Sequence, residues 1–182
     1  LVVARGREGG NGTVCFERLA YRELPLGTSA PLPPLVRAST RLPSSGAGLA
    51  LDGRLDTAWR SDPASGPAQV LTLDFQRKRE FGGLVLHWAP DAFASRYSVK
   101  FSDDGKHWRT VRRVVDGNGG ADPLLLPESD TRFVRLQLQG GPANAYALAE
   151  VEVKDVSYGE SPNAFFEAVA QNAPRGQYPR SF

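Results

Sequence analysis

The stretch "LALDGRLDTAWRSD", residues 49–62, concentrates oxygen-bearing side chains in one short turn. Asp52 offers a carboxylate and Thr57 a hydroxyl, and Gly53 between them allows a tight bend. Hard oxygen ligands of this kind, completed by backbone carbonyls, suit Ca²⁺, which takes about 6–8 oxygens in flexible geometry. The turn has too little negative charge by itself. Glu150 would supply a second carboxylate if the last strand runs beside the turn.

The same turn has a plainer interpretation that needs no metal. Asp52 could accept hydrogen bonds from backbone N–H groups that follow it, and Thr57 could make a side-chain turn bond. In both interpretations the turn is structural and ties the first strand of the domain to the last. Trp59, which follows at once, is predicted to be a large core anchor.

Composition and charge narrow the class of protein. A chain of 182 residues with 41% hydrophobic and 23% charged residues fits one globular domain with appendages. A net charge of +2 with scattered arginines shows no basic stripe, so nucleic acid is not an expected partner. No apolar run reaches the roughly 18 residues of a membrane span. Because the chain contains no Met and shows no signal-peptide core, we expect it to be a piece of a longer protein.

Short segments of alternating hydrophobicity predict an antiparallel β-sandwich. In "AQVLTLDF", Leu71, Leu73 and Phe75 would face the core, while "SRYSVKFS" and "HWRTVRRVV" flank an Asp-Gly hairpin turn. The predicted strands are 68–75, 82–89, 95–102, 107–115, 131–139 and 147–158.

Changes of composition suggest three parts. Residues 1–30 hold a possible strand, 13–24, and the start of a proline-rich linker, so they form either the tail of a preceding module or an N-terminal strand. The sandwich is predicted over 31–157. In 158–182, Ser161 and Pro162 are typical of a helix start and Pro174 of its end, before a linker into a next region.

Five pieces in this order carry a family resemblance: "VRAST", "DGRLDTAW", "SDDGKHW", "RFVRL" and "AEVEV". Over about residues 35–156 the chain resembles the coagulation factor V/VIII type C (discoidin) domain, and within it the bacterial family 32 carbohydrate-binding modules. The resemblance implies an all-β jelly-roll sandwich of galactose-binding-like topology. The weaker likeness of the flanks implies neighbouring regions of a large carbohydrate-active protein.

The resemblance also implies two sets of site residues. A structural calcium ion would be held by Asp52, Thr57 and Glu150, with the carbonyls of Leu49, Leu55 and Ala149. A glycan or polysaccharide would bind loops at one rim of the sandwich, which here offer Arg60, Asp62, Asp91, Phe93, Arg96, Asn144 and Tyr146.

The leading hypothesis is a non-catalytic carbohydrate-binding module of a bacterial multidomain protein that is secreted, periplasmic or on the cell surface. The chain has no G-x-S-x-G or H-E-x-x-H motif. Galactose-binding relatives usually carry a loop histidine, whereas His87 lies within a predicted strand and His107 follows the hairpin turn. That difference favours the alternative, a structural spacer or protein-contact sandwich. Membrane-surface binding requires exposed apolar side chains beside basic residues, and Phe93 with Arg96 is the one such pair in the candidate loops.

Overall fold

The computed structural model describes residues 32–90 and 92–172. The predicted strand 13–24, Asp91 and Pro174 lie outside these ranges. Within them the chain forms nine strands and one α-helix, which we number in chain order: β1 Leu35–Ala38, β2 Trp59–Arg60, β3 Gln69–Glu80, β4 Gly83–Trp88, β5 Arg96–Ser102, β6 Arg109–Val114, β7 Ala121–Leu125, β8 Asp130–Gln139, β9 Ala147–Lys154 and α1 Pro162–Asn172.

The strands form two antiparallel sheets. Sheet I has the order β1-β3-β8-β5-β6 and sheet II the order β2-β9-β4-β7. Neighbours in a sheet are mostly distant in sequence, as in β3 with β8 and β4 with β9. The predicted all-β sandwich with a short C-terminal helix is confirmed.

The core lies between the sheets and follows the predicted alternation. On β3, Leu71, Leu73 and Phe75 are buried, while the residues between them face outward. Trp59 is fully buried, and its indole N–H donates to the Thr40 carbonyl across 2.9 Å. The predicted core anchor is therefore confirmed, and its one polar atom has a partner.

The hairpin between β5 and β6 is longer than predicted. Asp104 Oδ1 accepts from the backbone N–H groups of Lys106 and His107, both at 2.8 Å, so β6 begins only at Arg109. Ser102, the last residue of β5, is 5% exposed because its hydroxyl accepts from the Gly105 N–H and donates to Asp104. The turn, rather than the strand period, sets its burial.

Antiparallel pairing gathers four connections at one end of the sandwich, which we call the loop end. They join β2 to β3, β4 to β5, β6 to β7 and β8 to β9. These connections contain the loops 61–68, 89–95 and 140–146, from which most of the predicted rim residues come. The fold therefore brings those loops together, as the sequence hypothesis required.

Helix α1 begins as predicted. Ser161 Oγ accepts from the Ala164 N–H at 3.1 Å, and Pro162 is the first helical residue. Phe165 is 2% exposed and packs edge-on against Tyr158, with ring centroids 5.3 Å apart. In the described ranges, no helix is long and apolar enough to cross a membrane.

Candidate functional site

The three side chains predicted to hold a cation meet at one corner of the molecule. The Gly53 N–H donates to Glu150 Oε2 at 2.9 Å, and Thr57 Oγ1 donates to Asp52 Oδ2 at 2.7 Å. Glu150 is on the outward side of β9, and the 3₁₀ turn Ala47–Ala50 packs against both β1 and β9. The corner thus links the first and last strands.

The electrostatics of the corner are unbalanced. Glu150 is 9% exposed, and burial raises its pKa, with the Asp52 charge acting in the same direction and the Gly53 hydrogen bond opposing. Arg54 pairs instead with Asp56 at the surface, through bonds of 3.0 and 2.7 Å. A cation between Asp52 and Glu150 would relieve their repulsion.

The donor set of the corner consists of hard oxygens and is small. The described residues contain no group of three or more His, Cys, Asp or Glu positioned to hold a metal. A cation here would therefore take most of its ligands from the Thr57 hydroxyl and from backbone carbonyls, which suits calcium rather than zinc. The metal-free interpretation also has support, because the Arg54 N–H donates to Asp52 Oδ1 at 3.0 Å.

Those of the predicted rim residues that the structure describes lie at the loop end, but in different environments. Phe93 is half-buried and packs against the core and Gly119, whereas Arg96, beside Gly140, and Asn144 are exposed. Asn144 has a positive φ of 51°. Asp91 is outside the described residues. The exposed part of this rim therefore consists mainly of polar side chains.

Asp62 and Tyr146 have structural partners at the loop end. Asp62 caps a 3₁₀ turn by accepting from the Ala64 N–H at 2.9 Å. Tyr146 is 1% exposed, and its hydroxyl donates to the Pro67 carbonyl at 2.5 Å. The entry into β9 points the Tyr146 ring inward, where its hydroxyl ties two loops, and the predicted glycan contact of this residue stays a prediction.

A cleft of about 510 Å³ lies beside the cation corner, on the outer face of sheet II. Its lining includes three residues predicted as carbonyl ligands and three side chains at the ends of strands or turns: Leu49, Leu55, Ala149, Thr57, Arg60 and His87. Arg60 is the predicted glycan contact that lines it. The cleft combines exposed apolar surface, such as Leu55 at 65% exposure, with a few polar groups, as small-ligand sites do.

His87 is a polar residue of this cleft that sequence reasoning did not assign to the ligand. Its Nε2 lies 2.7 Å from Glu152 Oε1, and Glu152 also accepts from Lys154 Nζ at 2.5 Å. The alternation of β4, with Leu86 and Trp88 buried, was the signal that His87 faces outward. That the outer face of sheet II forms a cleft depends on the turn that packs against it.

The comparisons with known proteins agree with this architecture. The family model of the F5/8 type C domain matches residues 36–151. A chitosan-binding module in complex with chitotriose, from a chitosanase/glucanase of Paenibacillus sp. IK-5, is similar with 26% identity and a TM-score of 0.63. The alignment covers 68% of this chain and 98% of that module. No match is found among curated protein sequences.

Two modules of Clostridium perfringens share the fold at lower identity. The family 32 module of NanJ, solved with galactose, has 16% identity and a TM-score of 0.61, covering 66% of this chain and 92% of that one. A second family 32 module, solved with GalNAc-β-1,3-galactose, has 21% identity and a TM-score of 0.59, covering 66% and 94%. The sandwich is thus of the galactose-binding-like type found in carbohydrate-binding modules, and the chain belongs to the F5/8 type C domain family.

Proposed function

We propose that this domain is a non-catalytic carbohydrate-binding module and that the glycan occupies the cleft lined by Arg60 and His87. The observation that supports this most directly is the concave surface itself, about 510 Å³ on a rigid sheet. The chitosan-binding module from Paenibacillus, with the same fold and 26% identity, was solved with a bound oligosaccharide.

The cleft has the chemistry that a sugar requires. Arg60 presents several N–H donors, which suit the hydroxyl groups of a sugar ring, and Asp56 supplies an acceptor. Leu55 and the edge of Trp88 offer apolar surface for the C–H face of the ring. We propose that the half-buried Phe93 and the exposed Arg96 and Asn144 form a second part of the surface at the loop end, where a longer glycan would continue.

A structural calcium ion completes the proposal. Asp52, Thr57 and Glu150 would hold it with the carbonyls of Leu49, Leu55 and Ala149, next to the cleft. The ion would supply positive charge between two carboxylates and so hold the wall of the cleft in place. The parent would be a secreted, periplasmic or cell-surface carbohydrate-active protein, in which such a module raises the effective concentration of its neighbours at the glycan.

Isothermal titration with chitotriose, galactose and a panel of plant and host oligosaccharides tests this function. For any glycan that binds, Arg60→Ala is expected to weaken affinity by at least about tenfold, since a hydrogen bond from a charged donor contributes about 1.5–3 kcal/mol. Arg96→Ala tests the loop end in the same way. Lys78→Ala is the control, because Lys78 pairs with Asp103 far from the cleft.

Two results would contradict the proposal. Glycan affinity that survives both Arg60→Ala and Arg96→Ala would place the glycan elsewhere. A panel without any binding would support the alternative, a structural spacer or protein-contact sandwich.

A further inference from the structure

The outer face of sheet I carries a row of cations that the proposed glycan site does not use. Strand pairing sets Arg37 opposite Thr72, Thr72 opposite Arg135, and Arg135 opposite Lys100. Lys100 in turn pairs with Thr110 on the edge strand β6. The row therefore crosses all five strands of sheet I, a distance of about 19 Å at the usual strand spacing.

A second row lies next to the first on the same face. It runs from Val70 through Gln137 and Ser98 to Arg113. Neither row contains a carboxylate. Among the described residues, no ion pair is formed by the cations of the two rows, Arg37, Lys100, Arg113 and Arg135. Asp74 lies two residues after Thr72 on β3 and pairs with Arg132 through bonds of 2.8 and 2.9 Å. The Arg37 charge also lowers the Asp74 pKa.

Arg135 is held in a fixed orientation at the centre of this face. Its guanidinium stacks 3.7 Å from the centroid of the Trp108 ring, and its Nε donates to Thr72 Oγ1 at 3.2 Å. In the part of the chain that the structure describes, its two terminal nitrogens have no protein partner. A planar guanidinium whose terminal N–H groups have no protein partner is suited to bind a carboxylate in bidentate geometry.

We infer that this face of sheet I, defined by Arg37, Lys100, Arg113 and Arg135, binds an acidic polysaccharide whose carboxylates lie over the cation rows. Charge complementarity favours a polyanion. The hydroxyl and amide side chains between the cations, Thr72, Ser98, Thr110 and Gln137, suit the hydroxyl groups of its sugar rings. The surface is separate from the cleft, which lies on the opposite sheet.

A nucleic acid fits this face less well than a glycan. Single strands bind where aromatic rings stack on the bases. Among the described residues of this face, Trp108 is covered by Arg135 and Phe133 by Arg132, whose guanidinium lies 4.7 Å from the ring centroid. A polyuronate requires no open ring, because its recognition depends on carboxylates and hydroxyls.

Binding of polygalacturonate, compared with a neutral galactan, tests the inference. At about 50 mM salt the triple variant Arg37→Gln, Lys100→Gln, Arg113→Gln is expected to bind polygalacturonate at least about tenfold more weakly, since three cations that attract its carboxylates are removed. The matched control is Arg54→Gln, Lys78→Gln, Lys154→Gln, which removes equal charge from ion-paired residues outside the rows. Its affinity is expected to stay near the wild-type value.

The inference would be overturned by equal weakening in both triple variants, by no binding of polygalacturonate by the wild type, or by tighter binding of single-stranded DNA than of polygalacturonate through the same residues. Arg60→Ala separates this surface from the cleft. Polygalacturonate affinity that is lost in Arg60→Ala but kept in the triple variant would place the polyanion in the cleft and so would refute only the present inference.

Discussion

The backbone N–H of Gly53 donates a hydrogen bond to the Glu150 carboxylate across 2.9 Å, although the two residues are 97 positions apart in the chain. This bond joins the turn after β1 to the outer side of β9. The Asp52 carboxylate, next to Gly53, adds its charge to the desolvation that already raises the Glu150 pKa. A bound cation would convert this repulsion into attraction, and the calcium proposal is therefore a proposal about stability.

Removal of calcium is expected to lower the melting temperature of the wild-type domain. If the ion is present well above its dissociation constant, chelation costs about 2–3 kcal/mol, which corresponds to a shift on the order of 5 °C. Asp52→Asn should abolish the shift, since it removes one of the two carboxylates. Asp56→Asn is the control, because Asp56 pairs with Arg54 at the surface. Identical melting curves with calcium and with chelator would refute the calcium site and would leave the cleft untouched.

Asp122 predicts a pH dependence of stability. It is fully buried, and its Oδ2 accepts from Trp88 Nε1 at 2.8 Å and from the Tyr97 hydroxyl at 2.7 Å. Its Oδ1 has no partner among the described residues. Burial raises the Asp122 pKa and outweighs the two hydrogen bonds. The folded state therefore holds the proton more tightly than the unfolded chain does.

This difference in proton affinity between the folded and unfolded states sets the direction in which stability changes with pH. As the pH rises from the ordinary aspartate value of 3.8 through the raised pKa, the free energy of unfolding should fall. Asp122→Asn should flatten that dependence, because an amide oxygen can still accept both bonds. Asp122→Leu should cost about 2–4 kcal/mol, since it leaves two buried donors without a partner. Urea unfolding between pH 4 and 8 measures all three proteins, with Asp116→Asn as the exposed control. A wild-type stability that rises with pH in parallel with that of Asp122→Asn would contradict this assignment.

Tyr146→Phe separates a structural role at the loop end from a binding role. The variant loses the bond from the Tyr146 hydroxyl to the Pro67 carbonyl, so stability should fall by about 1 kcal/mol. Glycan affinity should stay at the wild-type value, because the ring is 1% exposed. Chemical denaturation and titration calorimetry on the same sample give both quantities. Reduced affinity with unchanged stability would return Tyr146 to the predicted contact set.

Phe165→Ala is expected to release helix α1 while the sandwich remains folded. Phe165 is 2% exposed and contacts Tyr158, so truncation should cost about 3–5 kcal/mol of docking energy. Hydrogen exchange of the amides in 162–172 should become much faster, and exchange in the paired strands β3 and β8 should change little. Gln171→Ala, at an exposed helix position, is the control. Unchanged helix exchange in Phe165→Ala would show that other contacts hold α1.

Local patterns in the sequence were enough to predict several of the strands and the start of the helix. The alternation of Leu71, Leu73 and Phe75 predicted β3, and the Ser161-Pro162 pair predicted the start of α1, because a side chain or a cap acts on its own turn of backbone. Strand β7 was not predicted individually. Its Pro123 cannot donate to a ladder, and the strand forms because it is an edge strand that pairs only with β4.

By itself, the sequence determined the strand and helix periods, the burial of Trp59 and the oxygen-rich turn at Asp52, since each depends on neighbouring residues. Only the tertiary structure decided that this turn meets Glu150, that Arg60 shares a cleft with His87, and that Tyr146 points inward. These relations depend on strand order and register between segments far apart in the chain. One-residue shifts of register would move every outward side chain to the other face, and such a choice is made by the packing of both sheets together.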